Sequence, residues 1–509
     1  MNMRTLIHNR SDILKLRDFY KKMAEKKGIR VGDLLALTPK NDIAYVRPSD
    51  LSHAKWFAKV WGAEGGPEIH PRGFHYMILG KGYKTDIGED YLNTNACWEV
   101  MKDGAFWAQV IGLVPADKIK DEKNPAATPT SSIFLDSPYR PIDKELESGY
   151  ESGYIPSGGS LPELTYDLTE DLIEEQVTRI VNEVFAGVSY DVQRRQKYYI
   201  EIWFEKAGVI DEEIAEKYGA TIRAAGGGEM SYKMVRDAVG EAKRRGQDVV
   251  VILIVDFDPK GRDMPKSVAR KIEVEAALRG VHAHVHHAAV TLEQVREHGI
   301  PGTPAKKPKG LESRNPGALA YETHKKIFRE FAGQDPVEIR AFSSREPEAY
   351  AAALEEHLKP YYDEDLADKI QGAIRDAKVS AESALRDELE TNRGDIDRAL
   401  SAVRKALEKY EGQLGDSFDG IEANLSELAE QEKVTRKKTG LDAKVRKLEE
   451  VLNAVDVEGA LSLVELCIPE ADADGQPDPL LDTRRSLEEQ IRKYKEFDIR
   501  YRQGSEKYD

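Results

Sequence analysis

The spacing of apolar residues predicts helices in the first part of the chain. Ser11 can cap a helix whose apolar residues recur at a period near 3.6, namely Ile13, Leu14, Leu16, Phe19 and Met23. A second helical pattern extends from about Leu51 to Trp61. From Arg72 to Leu113, short helical patterns alternate with glycine breaks. Residues 1–120 are therefore predicted to form a helical, winged-helix-like domain.

The pattern weakens in the next part of the chain. From about Asp121 to Pro162 the composition shifts to Pro, Ser, Gly and Asn, and apolar periodicity is largely lost. Such a composition is typical of linkers and of arms that reach between domains. We interpret residues 121–195 as a linker or arm that ends in a connecting helix.

Apolar runs that alternate with helical patterns characterise the middle of the chain. Strand patterns are found at Tyr198–Phe204, Ala220–Ala224 and Val249–Val255, and helical patterns lie between them, at Asp211–Tyr218 and Tyr232–Arg245. Continuous apolar strands in this alternation are typical of a parallel sheet that is covered on both faces. Residues 196–346 are therefore predicted to form an α/β domain with a parallel sheet.

The last part of the chain, residues 347–509, is helical in pattern. Apolar residues recur at spacings of four and three from Ile396 to Leu428, as they do in coiled coils. Gly440 and the segment 469–479 should break this region into hairpin-like helices. Because an apolar stripe must be buried, we expect the tail to pack as a hairpin or to dimerise. The fold class is thus multidomain α/β with a coiled-coil-like helical tail.

Charge is distributed unevenly along the chain, whose net charge is −16. Residues 361–509 hold 24 Lys and Arg against 36 Asp and Glu, which leaves 51 against 55 in the rest. The first 360 residues can therefore present basic faces to a nucleic acid, whereas the acidic tail is expected to serve protein contacts. Two cysteines fit a reducing compartment, and the longest apolar run, Val249–Val255, is far too short for a membrane span. These features favour a cytoplasmic protein without membrane contact.

Three acidic residues follow predicted strands. Glu205 lies just after one strand, and Asp256 and Asp258 follow another, where alternation places both on the same side. Since ligands bind beyond the carboxyl ends of parallel strands, the three carboxylates could converge there. Oxygen ligands of this kind favour Mg²⁺. The alternative is that these side chains only cap the next helix or lie in solvent.

Basic residues accompany the predicted metal site. Lys260 and Arg262 follow the acidic pair and are predicted to contact DNA phosphates. A later cluster in a predicted loop is as compatible with a phosphate clamp as with a solvated loop, and consists of Lys306, Lys307 and Lys309.

Several motifs resemble one known family. The segments EIWFEKAG, RAAGGGEMS and ILIVDFDPKGRDM resemble the Toprim domain of topoisomerase VI A subunits and of the meiotic double-strand-break proteins. The later segments VTLEQVREHGIPGTPAKKPKG and VEIRAF resemble stand-alone archaeal, bacterial or mobile-element members. Upstream, LLALTPKNDIAYV, HPRGFHYMIL and GLVPADKIKDEKNP match the order of the winged-helix portion that precedes Toprim. The resemblance covers roughly residues 30–355.

The resemblance assigns a nucleophile. The family's cleaving tyrosine ends an Arg-x-x-Tyr-Tyr element, which corresponds here to Arg72-Gly-Phe-His-Tyr76, with His75 in place of the first tyrosine. A phenol needs a nearby cation or metal to act at neutral pH, and Arg72 is the candidate because it lies four residues away on a helical pattern. The alternative is that Tyr76 is a core aromatic, since Phe74 and Met77 flank it.

The family implies a function and partners for this chain. It would be a type II, topoisomerase-like enzyme in which Tyr76 attacks a DNA phosphate and Glu205, Asp256 and Asp258 hold Mg²⁺. The family also implies a homodimer, double-stranded DNA as substrate and an ATPase B-type partner; this chain has no GxxxxGK[ST] loop. A nucleoid location would follow. The alternatives are a Toprim nuclease that hydrolyses DNA with metal-activated water, and a non-catalytic DNA-binding or scaffold protein.

Overall fold

The computed structural model divides the chain into two compact units. Unit 1 comprises Met1–Ser132, Gln193–Glu364 and Ile468–Asp509, and unit 2 comprises Ile133–Val192 and Asp365–Cys467. The predicted domains 1–120 and 196–346 therefore fall in the same unit, and the predicted tail 347–509 is divided between the two. The structure describes residues 1–120, 127–129, 134–135, 177–178, 190–206, 212–225, 230–304, 316–411, 433–434, 437–438, 440, 443, 450, 464, 466 and 477–499.

The first part of unit 1 is helical, as its pattern predicts. Its helices are α1 (Ile13–Lys27), α2 (Pro48–Ala63), α3 (Pro71–Ile78) and α4 (Asn95–Val110). Helices α2 and α4 pack closely at Gly104, where an added Cβ would lie 2.7 Å from the His53 carbonyl oxygen. Within residues 1–120, β pairing is limited to two isolated bridges, Ile69 with Ile119 and Lys84 with Asp90. The winged-helix arrangement remains a prediction.

A five-stranded sheet forms the centre of the rest of unit 1. Its strands are β3 (Tyr198–Phe204), β4 (Thr221–Ala224), β5 (Asp248–Ile254), β6 (Ala283–Ala289) and β7 (Leu481–Asp482), in the order β4-β3-β5-β6-β7. Strands β3, β4, β5 and β6 are parallel and almost wholly buried. Strand β3 is paired with β5 from Tyr198 opposite Asp248 to Phe204 opposite Ile254, so the two strands end level with each other.

The prediction of a wholly parallel sheet is wrong at one edge. Strand β7 pairs antiparallel with β6, His284 opposite Asp482 and Val285 opposite Leu481, so the sheet is mixed. Its two residues come from the C-terminal part of the chain, about 190 residues after β6. A two-residue strand has no periodicity of its own, which is why its pairing could not be expected from the apolar pattern.

Helices cover the sheet and complete unit 1. They are α5 (Val192–Arg195), α6 (Glu212–Lys217), α7 (Tyr232–Arg245), α8 (Pro259–Arg279), α9 (Leu292–Glu297), α10 (Pro316–Ala332), α11 (Ile339–Arg345), α12 (Pro347–Leu358) and, from the C-terminal segment, α14 (Leu487–Ile499). Helix α7 has the predicted bounds, and it is capped by the Ser231 side chain at one end and by left-handed Gly246 at the other.

The described part of unit 2 is dominated by one long helix. Helix α13 (Leu366–Glu411) buries one face over its first five turns, and the two short strands β1 (Phe134–Leu135) and β2 (Tyr190–Asp191) pair antiparallel. The predicted coiled-coil stripe begins inside this helix at Ile396, but the Ile396 side chain and residues 412–428 lie outside the described residues. In the described part of the chain, no helix is long and apolar enough to span a membrane.

Candidate functional site

The three predicted acidic residues lie beside the carboxyl ends of neighbouring strands. Glu205 follows β3 directly, and its amide donates a hydrogen bond to the Ile254 carbonyl at the end of β5 (3.1 Å). The Asp256 amide in turn donates to the Glu205 carboxylate (3.1 Å). Glu205, Asp256 and Asp258 are all buried. The level ends of β3 and β5 thus bring Glu205 and Asp256 together, as the predicted sheet requires.

Asp256 is held from two sides. One carboxylate oxygen accepts a hydrogen bond from the Ile339 amide at the start of α11 (2.9 Å), and the other pairs with the Lys206 ammonium (2.6 Å). Burial opposes the charge on Lys206, but the hydrogen bond with Asp256 and the charges of Asp256, Glu338 and Glu205 together raise the lysine pKa. Lys206 is a residue that sequence reasoning did not select, because a strand pattern points it away from its neighbour Glu205.

Asp258 caps helix α8. Its Oδ1 atom accepts hydrogen bonds from the amides of Lys260 (2.9 Å) and Gly261 (2.7 Å), in the usual role of an N-cap aspartate. The capping alternative is therefore correct for this oxygen. Gly261 is required by close approach, since an added Cβ would lie 1.7 Å from the Asp256 carbonyl oxygen. The tight Pro259-Lys-Gly261 turn is what holds both aspartates at this edge of the sheet.

Within this cluster, the charged form of Glu205 is disfavoured. Burial first, and then the neighbouring carboxylates of Asp256 and Asp258, raise the pKa of Glu205 to about 7, against a lowering hydrogen bond from the Asp256 amide. At neutral pH this carboxyl group is therefore divided between its protonated and charged forms. A cation placed among the three acids would favour the charged form.

The chemistry of the three side chains, although not their present arrangement, suits a magnesium ion. Glu205, Asp256 and Asp258 offer only hard oxygen donors, and the charges of Asp256 and Asp258 add to burial in raising the pKa of Glu205. However, no group of three or more His, Cys, Asp or Glu within the described residues is arranged to hold a metal ion. In the present arrangement Asp256 is in an ion pair with Lys206, and one oxygen of Asp258 caps helix α8.

Tyr76 is on the surface, so the core-aromatic alternative is wrong. Its side chain is 57% exposed, whereas its neighbours Phe74 and His75 are buried. Helix α3 begins at Pro71 and is capped by His70, whose Nδ1 atom accepts from the Arg72 amide (3.2 Å). One turn later, the same helix carries the phenol into solvent.

The buried ring of His75 packs beside Tyr76 and is held by contacts with two other side chains. Its Nδ1 atom is hydrogen-bonded to the Tyr91 hydroxyl and its Nε2 atom lies 3.3 Å from Asn93 Oδ1. A neutral ring with its hydrogen on Nε2 satisfies both partners. The ring also contacts Tyr76 edge-on, with centroids 5.3 Å apart. His75 is therefore a packing and hydrogen-bonding residue.

Arg72 and Tyr76 line one surface pocket of about 410 Å³, as their spacing predicts. The Arg72 guanidinium lies over the Trp98 ring, 5.0 Å from its centroid, which fixes its direction. Lys120 lines the same pocket and was not expected from the sequence. It comes from 44 positions further along the chain and is brought near by the bridge between Ile69 and Ile119.

The tyrosine and the acidic cluster are separate in one chain. The described lining of the Tyr76 pocket consists of Glu68, Ile69, His70, Arg72, Gly73, Tyr76 and Lys120, and includes none of the three acids. Among the predicted DNA-binding residues, Lys260 and Arg262 line a different, larger cleft. The remaining three, Lys306, Lys307 and Lys309, lie outside the described residues.

Comparison with known proteins yields no relative. A scan against protein-family models finds no match to this chain. Searches of curated proteins and of solved structures likewise return no similar protein. The family resemblance therefore depends on the motifs themselves, at the positions described above.

Proposed function

We propose that this chain is a topoisomerase VI A-like protein that cleaves DNA through Tyr76. The observation that carries the proposal is the exposed phenol of Tyr76 in a pocket that also contains Arg72 and Lys120. An aromatic ring with a purely structural role would be expected in the core, where Phe74 lies. Two cations beside an exposed phenol suit the attack of a tyrosine on a phosphodiester.

The proposed step is a transesterification. The Tyr76 hydroxyl loses its proton, its oxygen bonds to a backbone phosphorus, and the bond from that phosphorus to a deoxyribose oxygen breaks. The leaving oxygen takes up a proton, so the DNA keeps one hydroxyl end and gains one protein-linked end. Arg72 and Lys120 would bind the phosphate oxygens and offset the charge that grows on them. No water is consumed, and the step can be reversed.

The acidic cluster has a supporting role in this proposal. Glu205, Asp256 and Asp258 would hold a magnesium ion, which when bound stabilises negative charge on phosphate oxygens. For a cation to bind there, the Lys206 side chain, which is 41% exposed and so has access to solvent, must leave Asp256. The cation would also keep Glu205 charged at neutral pH.

A homodimer fits the separation of the Tyr76 pocket from the acidic cluster. Because Tyr76 and the acids do not share a pocket in one chain, they could act together only if a second copy supplies one of them. The resemblance implies this arrangement, with double-stranded DNA as substrate and an ATPase B-type partner for strand passage.

The test is a covalent trapping assay. Purified protein is incubated with supercoiled plasmid and magnesium, quenched with detergent and extracted with phenol before and after protease. Protein-linked DNA ends should enter the phenol phase until protease is added. Tyr76→Phe should abolish these adducts while DNA binding persists, because only the attacking oxygen is lost. Tyr45→Phe, at a partly exposed tyrosine outside the pocket, is the matched control and should cleave normally.

A nuclease is the second candidate, and the pKa of Glu205 favours it. A buried carboxyl group with a pKa near 7 is well matched to deprotonating a water molecule at neutral pH. In that case the same assay gives DNA ends that stay in the aqueous phase without protease, and Tyr76→Phe cleaves as well as the unaltered chain. Adducts from Tyr76→Phe at normal yield would likewise reject Tyr76 as the nucleophile.

A further inference from the structure

A large cleft in unit 1 has neither Tyr76 nor any of the three acids in its described lining, although it begins directly beside Asp258, at Pro259. Its volume is about 1330 Å³, and its walls come from the segment 30–47, from α4, from the first half of α8, from α10 and from α14. The volume exceeds the 300–1,000 Å³ or so that is typical of small-molecule pockets. The size fits a length of polymer rather than a metabolite.

The lining of this basic cleft is positive, in contrast to the chain. Nine of its described lining residues are Lys or Arg and five are Asp or Glu, whereas the whole chain has a net charge of −16. The cations come from four of the five walls, all except α10, and include Arg30, Lys40, Lys102, Lys260, Lys266 and Lys495. A positive groove in an acidic protein concentrates polyanions at that groove.

The C-terminal helix α14 forms one wall of the basic cleft. Its buried side chains Leu487, Ile491, Tyr494 and Phe497 pack inward at spacings of three and four. Lys495 and Asp498 are three positions apart and so lie on one side of α14. Both line the cleft. The Lys495 ammonium contacts the Gly32 carbonyl oxygen (3.3 Å), across the opening from α14 to the segment 30–47.

Asp498 neutralises a buried cation on the facing wall. Lys266 of α8 is 4% exposed, and its ammonium pairs with Asp498 and lies 3.3 Å from Asp263. The Asp498 side chain is 30% exposed, so its carboxylate is at the boundary with solvent. A phosphate that enters the cleft would offer Lys266 the same kind of partner as Asp498 does.

We propose that helix α14 completes a binding site for a nucleic-acid backbone in the basic cleft. Lys495 would contact one phosphate, and Asp498 would compete with phosphate for Lys266 and so weaken binding. This differs from the expectation that the whole acidic tail serves protein contacts. The proposal rests on the proposed function for the choice of nucleic acid as the polyanion, since other acidic polymers have the same charge.

The test compares two lysines of the same helix. Lys495 lines the basic cleft, whereas Lys493, two positions earlier, lines another pocket and pairs with Asp478. Binding of the full chain to a labelled 20-bp duplex is measured by fluorescence anisotropy over a range of salt concentrations, without divalent cations. Lys495→Gln should reduce the slope of log K against log salt by about 0.9, the value for one phosphate contact. Lys493→Gln should leave the slope unchanged.

A substitution at Asp498 should change the affinity for the duplex in the opposite direction. Asp498→Asn removes the competing charge and should tighten binding about threefold at low salt, with a slope that is steeper by up to about 0.9. Asp478→Asn is its control, because Asp478 lines the other pocket and should not alter binding. Thermal melting of each variant shows whether unit 1 remains folded.

The outcomes separate this inference from the cleavage proposal. Equal slopes for the unaltered chain and Lys495→Gln, or equal losses for Lys495→Gln and Lys493→Gln, would overturn the site. Weaker binding by Asp498→Asn would overturn the competition. Because no divalent cation is present, no cleavage is needed for any of these results. Failure of the adduct assay would therefore reject Tyr76 chemistry and leave the cleft result standing.

Discussion

One buried carboxyl group determines how the acidic site responds to pH. The pKa of Glu205 is raised from 4.5 to about 7, first by burial and then by its acidic neighbours. Between these two pH values the folded protein keeps a proton that the unfolded chain releases. Folding therefore becomes less favourable as the pH rises through this window, and above about pH 7 the charged side chain carries the full cost.

Glu205→Gln should remove that cost. The amide keeps the shape and can still accept from the Asp256 amide, but it cannot ionise. We expect the variant to exceed the unaltered chain in free energy of unfolding by up to about 2 kcal/mol at pH 8, and to match it near pH 4. Urea denaturation at both pH values measures this difference.

Melting temperatures measured with added magnesium provide a second test of Glu205. Saturating magnesium should raise the melting temperature of the unaltered chain at pH 8 and have a much smaller effect on Glu205→Gln, which has one ligand charge fewer. Glu216→Gln, at an exposed glutamate of α6, is the control and should show no pH-dependent difference. A gain in stability that is equal at pH 4 and pH 8 would reject the raised pKa.

At the scale of elements, the turn from β5 into α8 sets the position of both aspartates. Asp258 caps the helix, and Gly261 allows the first turn to pass against the Asp256 carbonyl. A side chain at this position would have to push backbone atoms apart, because the contact is with main chain rather than with a flexible side chain. The turn is therefore a rigid support.

Gly261→Ala should consequently lower the free energy of unfolding by more than about 3 kcal/mol, an effect far larger than that of a usual helix substitution. Gly372→Ala is the matched control. Gly372 lies within helix α13 with open space around its added Cβ, so alanine should be neutral or stabilising by about 0.5–1 kcal/mol. Thermal and urea unfolding of both variants provide the comparison, and equal effects would contradict it.

Elements with long apolar patterns could be predicted from the sequence, and isolated contacts could not. Strand β3 and helix α7 have the predicted bounds because each has seven or more residues in a clear pattern, a continuous apolar run in β3 and a helical period in α7. The meeting of Glu205 and Asp256 followed from adjacent parallel strands. The exposure of Tyr76 did not follow, since it depends on which face of α3 packs inward, and Lys120 reaches the pocket through a pairing distant in sequence.

For unit 1 as a whole, a buried ionic network joins three distant parts of the chain. Arg270 of α8, 1% exposed, donates to Asp42 (2.9 Å), to Glu273 (2.7 Å) and to the Tyr20 hydroxyl. The Tyr494 hydroxyl of α14 donates to Glu273 as well (3.0 Å). The N-terminal helices, the α/β core and the C-terminal helix therefore share one set of charges.

Arg270→Met should cost about 3–5 kcal/mol in free energy of unfolding, because it leaves two buried carboxylates without their cation. Arg30→Met provides the contrast, since Arg30 and Asp33 form an exposed ion pair and the change should stay within about 0.5–1 kcal/mol. Urea denaturation measures both. A small loss for Arg270→Met would show that the network is not an energetic link between the parts of unit 1.

Strand β7 is synthesised long after β6, the strand with which it pairs. The β6 edge that it covers leaves the ribosome about 190 residues before Leu481 does. At roughly 5–20 residues per second, that interval is about 10–40 s. During this time β6 presents unpaired backbone groups to any other nascent chain, a known route to misassembly. The β6 edge of the newly made protein is therefore open to aggregation until the C-terminal segment has been synthesised.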